Sequence, residues 1–249
     1  MMSPDRPDPA LPGDRASIDA VPKWRSLLMT LALGLVAGVG SWLTGEGILR
    51  AYRAELAPAM KPIPTLDDAQ LLLAARVTSG CLVFGMMGGW IGLAGGLAGG
   101  ASQRSWQRAV RAGIFGLVLG TIGTAGIVRL VLPIFYTRVD SQAQDLTMPL
   151  IGHVALWMTS GAVGGLAYSL GAGRSTRLWE PALGGLLGAV LATVAYELAG
   201  ALLLPTHRTH LPMPGTSATR AMAQIMVALG TVIGSSLEPG RPATDRQDP

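Results

Sequence analysis

The sequence predicts an all-α integral membrane protein: six transmembrane helices, built as three tandem two-helix repeats in a glycine-rich, pseudo-threefold bundle. Three observations predict it. The 249 residues have a mean hydropathy of +0.42, with 49% hydrophobic and only 14% charged residues, where a soluble domain carries about 25% charge. Six apolar runs follow one another along the chain, each near the roughly 20 residues that cross about 30 Å of hydrocarbon. One pattern of leucine, glycine, serine, arginine and tryptophan recurs at identical spacing after two of those runs.

Residues 1–23 are polar and rich in Pro, Asp and Arg, as are 239–249, and both are predicted to be disordered cytoplasmic tails. The first tail is too long for the n-region of a signal peptide, so the run behind it is read as a retained span. The runs cover approximately 26–48, 77–98, 110–135, 148–170, 181–204 and 217–237. They do not alternate apolar with polar residues, which excludes the strands of an outer-membrane barrel. Helices satisfy the backbone inside lipid and barrels are gone, so the runs are helices. Together they form one membrane domain over 24–238.

Orientation follows from the short connections. Arg104, Arg108, Arg111, Arg174 and Arg177 crowd the second-to-third and fourth-to-fifth loops, whereas Arg50, Arg53, Lys61, Arg138 and Arg208 are spread over far more chain. Basic density places those two loops and both termini in the cytoplasm of a bacterial inner membrane.

The second run ends in Leu97-x-x-Gly100-x-Ser102-x-Arg104-x-Trp106 and the fourth in Leu170-x-x-Gly173-x-Ser175-x-Arg177-x-Trp179. The sixth ends in a partial copy, Leu237-x-x-Gly240-Arg241. Trp24, Trp106 and Trp179 each precede an odd-numbered run, and Pro58, Pro133 and Pro205 each close one or its outer extension. The units are therefore 24–105, 106–178 and 179–238. Parallel repeats of this kind imply an axis along the membrane normal.

Small residues recur at spacings of three and four: Gly34, Gly38, Ser41 and Gly45; Gly85, Gly89, Gly92, Gly96 and Gly99; Gly113, Gly116, Gly120 and Gly123; Gly185, Gly188, Ala192, Ala195 and Ala199. Such stripes predict backbone-to-backbone helix packing. Packing this close argues against a wide aqueous pore.

Six ionisable residues stand inside the runs, where charge is costly: Glu46, Arg76, Arg129, His153, Glu197 and Arg220. Counting back from Leu97, Leu170 and Leu237, one repeat position holds Gly80, His153 and Arg220, with Arg76 a turn earlier. A threefold axis would gather these into a basic ring at the outer end. Glu197 is the deepest acid, about 12 Å of helix before Pro205, so it must pair or be protonated. Its basic candidates are Arg220, in its own hairpin, and His153.

His207-x-x-His210 with Met213 lacks a third firm ligand, and Cys81 is a packing residue; no metal site or cofactor is expected. A single cysteine also excludes a disulfide framework. The isoelectric point near 9.7 arises from scattered residues with no basic patch, so nucleic acid is not a partner. No HExxH, GxSxG or Walker loop occurs, and no enzyme is expected. The internal repeat and basic cluster point to a carrier or narrow channel for a small solute, an anion suiting a basic ring. The alternative is a structural or accessory subunit, docking other membrane helices or its own copies through glycine and alanine stripes.

Overall fold

The computed structural model describes residues 23–53, 65–138, 147–173, 177–203 and 211–237. Six helices account for nearly all of them: α1 (Lys23–Ala51), α2 (Leu66–Ser102), α3 (Trp106–Arg138), α4 (Thr147–Gly171), α5 (Trp179–Leu203) and α6 (Ser217–Ser236). The remainder of both tails, Pro58, Lys61, Arg174, Ser175, Pro205, His207, Arg208, His210, Gly240 and Arg241 lie outside the described residues.

Five helices, α1 to α5, are long and apolar enough to cross a membrane. The expectation of six such helices is corrected at α6. Its 20 residues, about 30 Å long, include Thr219, Arg220, Gln224, Thr231 and Ser235, which lower its hydropathy. Four of these are buried, Arg220 being the exception, so they face protein rather than lipid.

Two element boundaries differ from the apolar runs. α2 begins at Leu66 rather than near 77, because Thr65 and Asp68 form a capping box that starts a helix ahead of the oily segment. At 37 residues it spans about 55 Å and must extend past the hydrocarbon. Pro133 does not close α3 but lies inside it. The helix runs on because Phe135 is buried and Tyr136 packs on the core beyond the lost hydrogen bond.

The helices form an inner and an outer set. In α2 and α4, 67% and 56% of the apolar window is buried, against 28%, 22% and 28% in α1, α3 and α5. α2, α4 and α6 touch one another in the middle. Around them α1 packs on α2 and α6, α3 on α2 and α4, and α5 on α4 and α6. The outer surface carries Leu35, Leu43, Ile122, Leu130, Leu191 and Leu198, as a lipid-facing surface should.

Glycines set the helix separations. Along α2 and α3, Gly92 faces Gly116, Gly88 faces Gly120, and Gly96 faces Ala112 and Gly113, all through backbone atoms. Gly85 and Gly89 of α2 lie on Thr121 of α3. Gly95 and Gly99 bring α2 onto Gly164 and Tyr168 of α4. Gly184 and Gly188 bring α5 onto Gly234 and Gly230 of α6, and Gly34 and Gly38 seat α1 on Val232 and Ile225 of α6.

The α4–α5 contact departs from the register that the shared tryptophans imply. Matching Trp106 with Trp179 pairs Gly165 with Ala189, by analogy with Gly92 and Gly116. Instead Ala189 and Gly185 lie on Gly161, and Gly165 meets Pro181. α5 is thus displaced along its axis by about two helical turns.

Candidate functional site

The six ionisable residues do not make a basic ring. Two of the three positions counted as equivalent carry a base, and each base meets an acid on the next hairpin. On α4, His153 Nδ1 pairs with Glu197 Oε1 of α5. On α6, Arg220 Nε donates to Glu46 Oε1 of α1 at 2.7 Å. At the third position Gly80 of α2 lies against Leu132 of α3. The junctions between hairpins are therefore two acid–base pairs and one apolar contact. The expected ring of positive charge is neutralised where it forms.

Glu197 takes the second of its two candidate partners. Arg220 is drawn away because α6 also packs on α1, where Glu46 stands ready. The displacement of α5 brings Glu197 level with His153. Arg76 of α2 lies over the Tyr136 ring, 5.4 Å from its centre, a cation–π contact. Arg129 is exposed on α3 and joins neither pair.

His153 has no exposed surface. Trp157, one turn further along α4, stacks on it at 4.8 Å, and Tyr196 of α5 stands edge-on to both rings. The indole Nε1 of Trp157 and the hydroxyl of Tyr196 are buried donors without a partner among the described residues. His153 Nε2 is 3.0 Å from the carbonyl oxygen of Leu211, in the segment leading into α6. A carbonyl only accepts, so Nε2 carries a hydrogen. The contact between Nδ1 and Glu197 then contains one proton. Drawn as imidazolium and carboxylate, or as imidazole and carboxylic acid, the pair is neutral and holds one exchangeable proton.

The same segment is tied at its other end. Arg220 Nη1 donates to the carbonyl of Pro214 at 2.7 Å. Between these two ties, Pro212, Met213 and Pro214 roof a cavity of about 10 Å³, roughly the space that one water needs. Its walls are Val83, Phe84 and Met87 of α2, Trp157 of α4, and Arg220, Ala223 and Gln224 of α6. These walls come from α2, α4 and α6, so the cavity lies where the three inner helices converge. Gln224 is anchored by Ser41 of α1, whose hydroxyl donates to Oε1 at 2.8 Å.

Sequence reasoning missed Trp157, Tyr196, Gln224, Ser41 in its polar role, and the Leu211–Pro214 strap. His153 and Trp157 one helical turn apart were a legible signal of a shared face. Nothing in the sequence showed which carbonyls His153 and Arg220 would bind. Cys81 is half-buried and unbonded to another cysteine. Among the described residues no three His, Cys, Asp or Glu side chains gather to hold a metal ion. No family model, curated protein or solved structure matches the chain, so function has to be argued from the site itself.

Proposed function

We propose that the chain is a multi-pass inner-membrane carrier or narrow channel for a small polar solute, which moves along the line where α2, α4 and α6 converge. The observation that carries this is the roofed cavity on that line, walled by Trp157, Arg220 and Gln224 and flanked by two acid–base pairs. Intramembrane ionisable groups turned toward a bundle interior mark solute and ion paths. Because Glu46 neutralises Arg220, the lining no longer favours a free anion over an uncharged or zwitterionic solute.

α6 completes a set of six spans in this proposal, its polar face turned to the cavity. Three hairpins about a pseudo-threefold axis are supported by the alternation of inner and outer helices, every outer helix packing on two inner ones. Cytoplasmic termini are supported by Arg104, Arg108, Arg111 and Arg177. The accessory-subunit alternative loses its main support, because the glycine stripes are turned inward. Gly47 and Gly126, which have open space around them, form no stripe.

The test is uptake of a panel of labelled small solutes into liposomes containing the purified protein. Uptake that falls to background in Gln224→Leu, with normal yield and unfolding temperature, supports the carrier. Absence of flux for every solute, together with a stoichiometric membrane partner on mild purification, would replace it with the accessory subunit.

A further inference from the structure

We infer that the His153–Glu197 pair is a proton-binding site whose single exchangeable proton latches the Leu211–Pro214 strap over the central cavity. Two acceptors compete for the hydrogens of one imidazole. With the proton present, His153 bonds two acceptors at once, the Leu211 carbonyl through Nε2 and Glu197 through Nδ1. When the proton leaves, a neutral imidazole keeps one N–H for two acceptors.

The remaining hydrogen goes to Glu197. A carboxylate accepts a charge-assisted bond roughly twice as strong as a neutral carbonyl does. The hydrogen therefore sits on Nδ1, and the bare Nε2 lone pair is left facing the lone pairs of the Leu211 oxygen. The bond that breaks is Nε2–H to Leu211; the bond kept is Nδ1–H to Glu197; the proton passes to water. The proton that leaves is the one on Nε2, so the pair passes from neutral to one negative charge, carried by Glu197, whose 18% exposure lets water solvate it.

The strap has one switchable tie and one fixed tie. Arg220 remains charged at every relevant pH, so its bond to Pro214 persists and the strap swings from that end. Rising pH releases Leu211 and falling pH recaptures it. The other titratable groups nearby do not supply the same switch. From α5 the site meets Tyr196, whose hydroxyl makes no bond among the described residues. On α6, Arg220 is held by Glu46 of α1; Arg76 of α2 lies on Tyr136 of α3; and Arg129 of α3 is exposed. In the carrier proposal, on which this last step rests, the same proton becomes the coupling ion, since its loss uncovers the cavity.

Strap movement is measurable without any solute. In a Cys81→Ala background, full-length protein in liposomes carries Met213→Cys, in the roof and lining the cavity, or Gly215→Cys, exposed just beyond it. The ratio of their labelling rates with a membrane-impermeant maleimide cancels the reagent's own pH dependence. It is expected to rise about tenfold between about pH 5 and about pH 9. Glu197→Gln donates its amide N–H to Nδ1 and leaves Nε2–H on Leu211, so its ratio stays low throughout. His153→Ala removes the tie, so its ratio stays high throughout. A flat ratio with the pair intact, or a Glu197→Gln ratio that follows pH like the parent, overturns the latch. A pH-dependent ratio in protein that moves no solute upholds the latch and sinks the carrier. Flux accompanied by a flat ratio does the reverse.

Discussion

Glu197 and His153 are held by each other more than by anything around them. His153 is sealed between Trp157 and Tyr196, and apart from Glu197 its only polar contact among the described residues is a backbone carbonyl. Replacing Glu197 with leucine would strand a buried imidazole nitrogen, a loss of about 3 kcal/mol, at the low end for a broken buried pair because the carboxylate is partly exposed. Glu197→Gln should cost under about 1 kcal/mol, since the amide keeps the shape and a polar contact. Unfolding temperatures of the two variants in one detergent check this, and equal losses would refute it. Arg220 and Glu46 invite a double-mutant cycle. Arg220→Met and Glu46→Met should each destabilise, while the double variant should recover about 1–3 kcal/mol of the combined loss. Full additivity would mean that the pair is not coupled. The depth of Glu197 was legible in the sequence, and so was its need for a base. Which base it meets was not legible, because that depends on the axial position of α5 against α4. No local residue pattern encodes that position.

At the scale of helices, apolar run length located all six elements, since within lipid the backbone has few other options. The start of α2 was also legible, in Thr65-x-x-Asp68, but that capping box lies outside any apolar run. The glycine stripes were legible in the sequence, whereas the backbones that Gly92, Gly95 and Gly188 face became visible only in the fold. Two substitutions of the same kind should have opposite signs. Gly92→Ala places a methyl against the backbone of Gly116. It forces α2 and α3 apart at a loss of about 1–3 kcal/mol. Gly126→Ala, on the exposed face of α3 with open space around it, should gain up to about 1 kcal/mol from helix propensity alone. Paired unfolding measurements decide it; two losses, or two gains, would show that glycine contacts do not set the α2–α3 separation. Ser217–Ser236 illustrates the opposite limit of run length. Its hydropathy understates its burial because its polar groups face other helices.

The whole molecule places its polar machinery at one end. The strap joins α5 to α6, whereas the turn at Gln103 joins α2 to α3. In a bundle of antiparallel neighbours these two connections lie on opposite faces. Which face meets the cytoplasm decides whose pH the His153–Glu197 pair senses. Arg104, Arg108 and Arg111 flank the α2–α3 turn, and Arg177 flanks the start of α5, on that same face. The strap face has Arg50 in the last turn of α1, Arg53 just beyond it and Arg138 at the end of α3. Each arginine near a short loop resists transfer across the membrane, so the proposed orientation keeps the denser side in the cytoplasm. Intact cells expressing single cysteines in the Cys81→Ala background should therefore label Gly215→Cys from outside with an impermeant maleimide. Gln103→Cys should label only after the cells are opened. The reverse pattern would turn the strap toward the cytoplasm. The proton released by the pair would then enter the cell rather than leave it, and the cavity would open inward when the cytoplasm became alkaline. The internal geometry would be unchanged, because His153, Glu197 and Leu211 bind one another without reference to the membrane's direction.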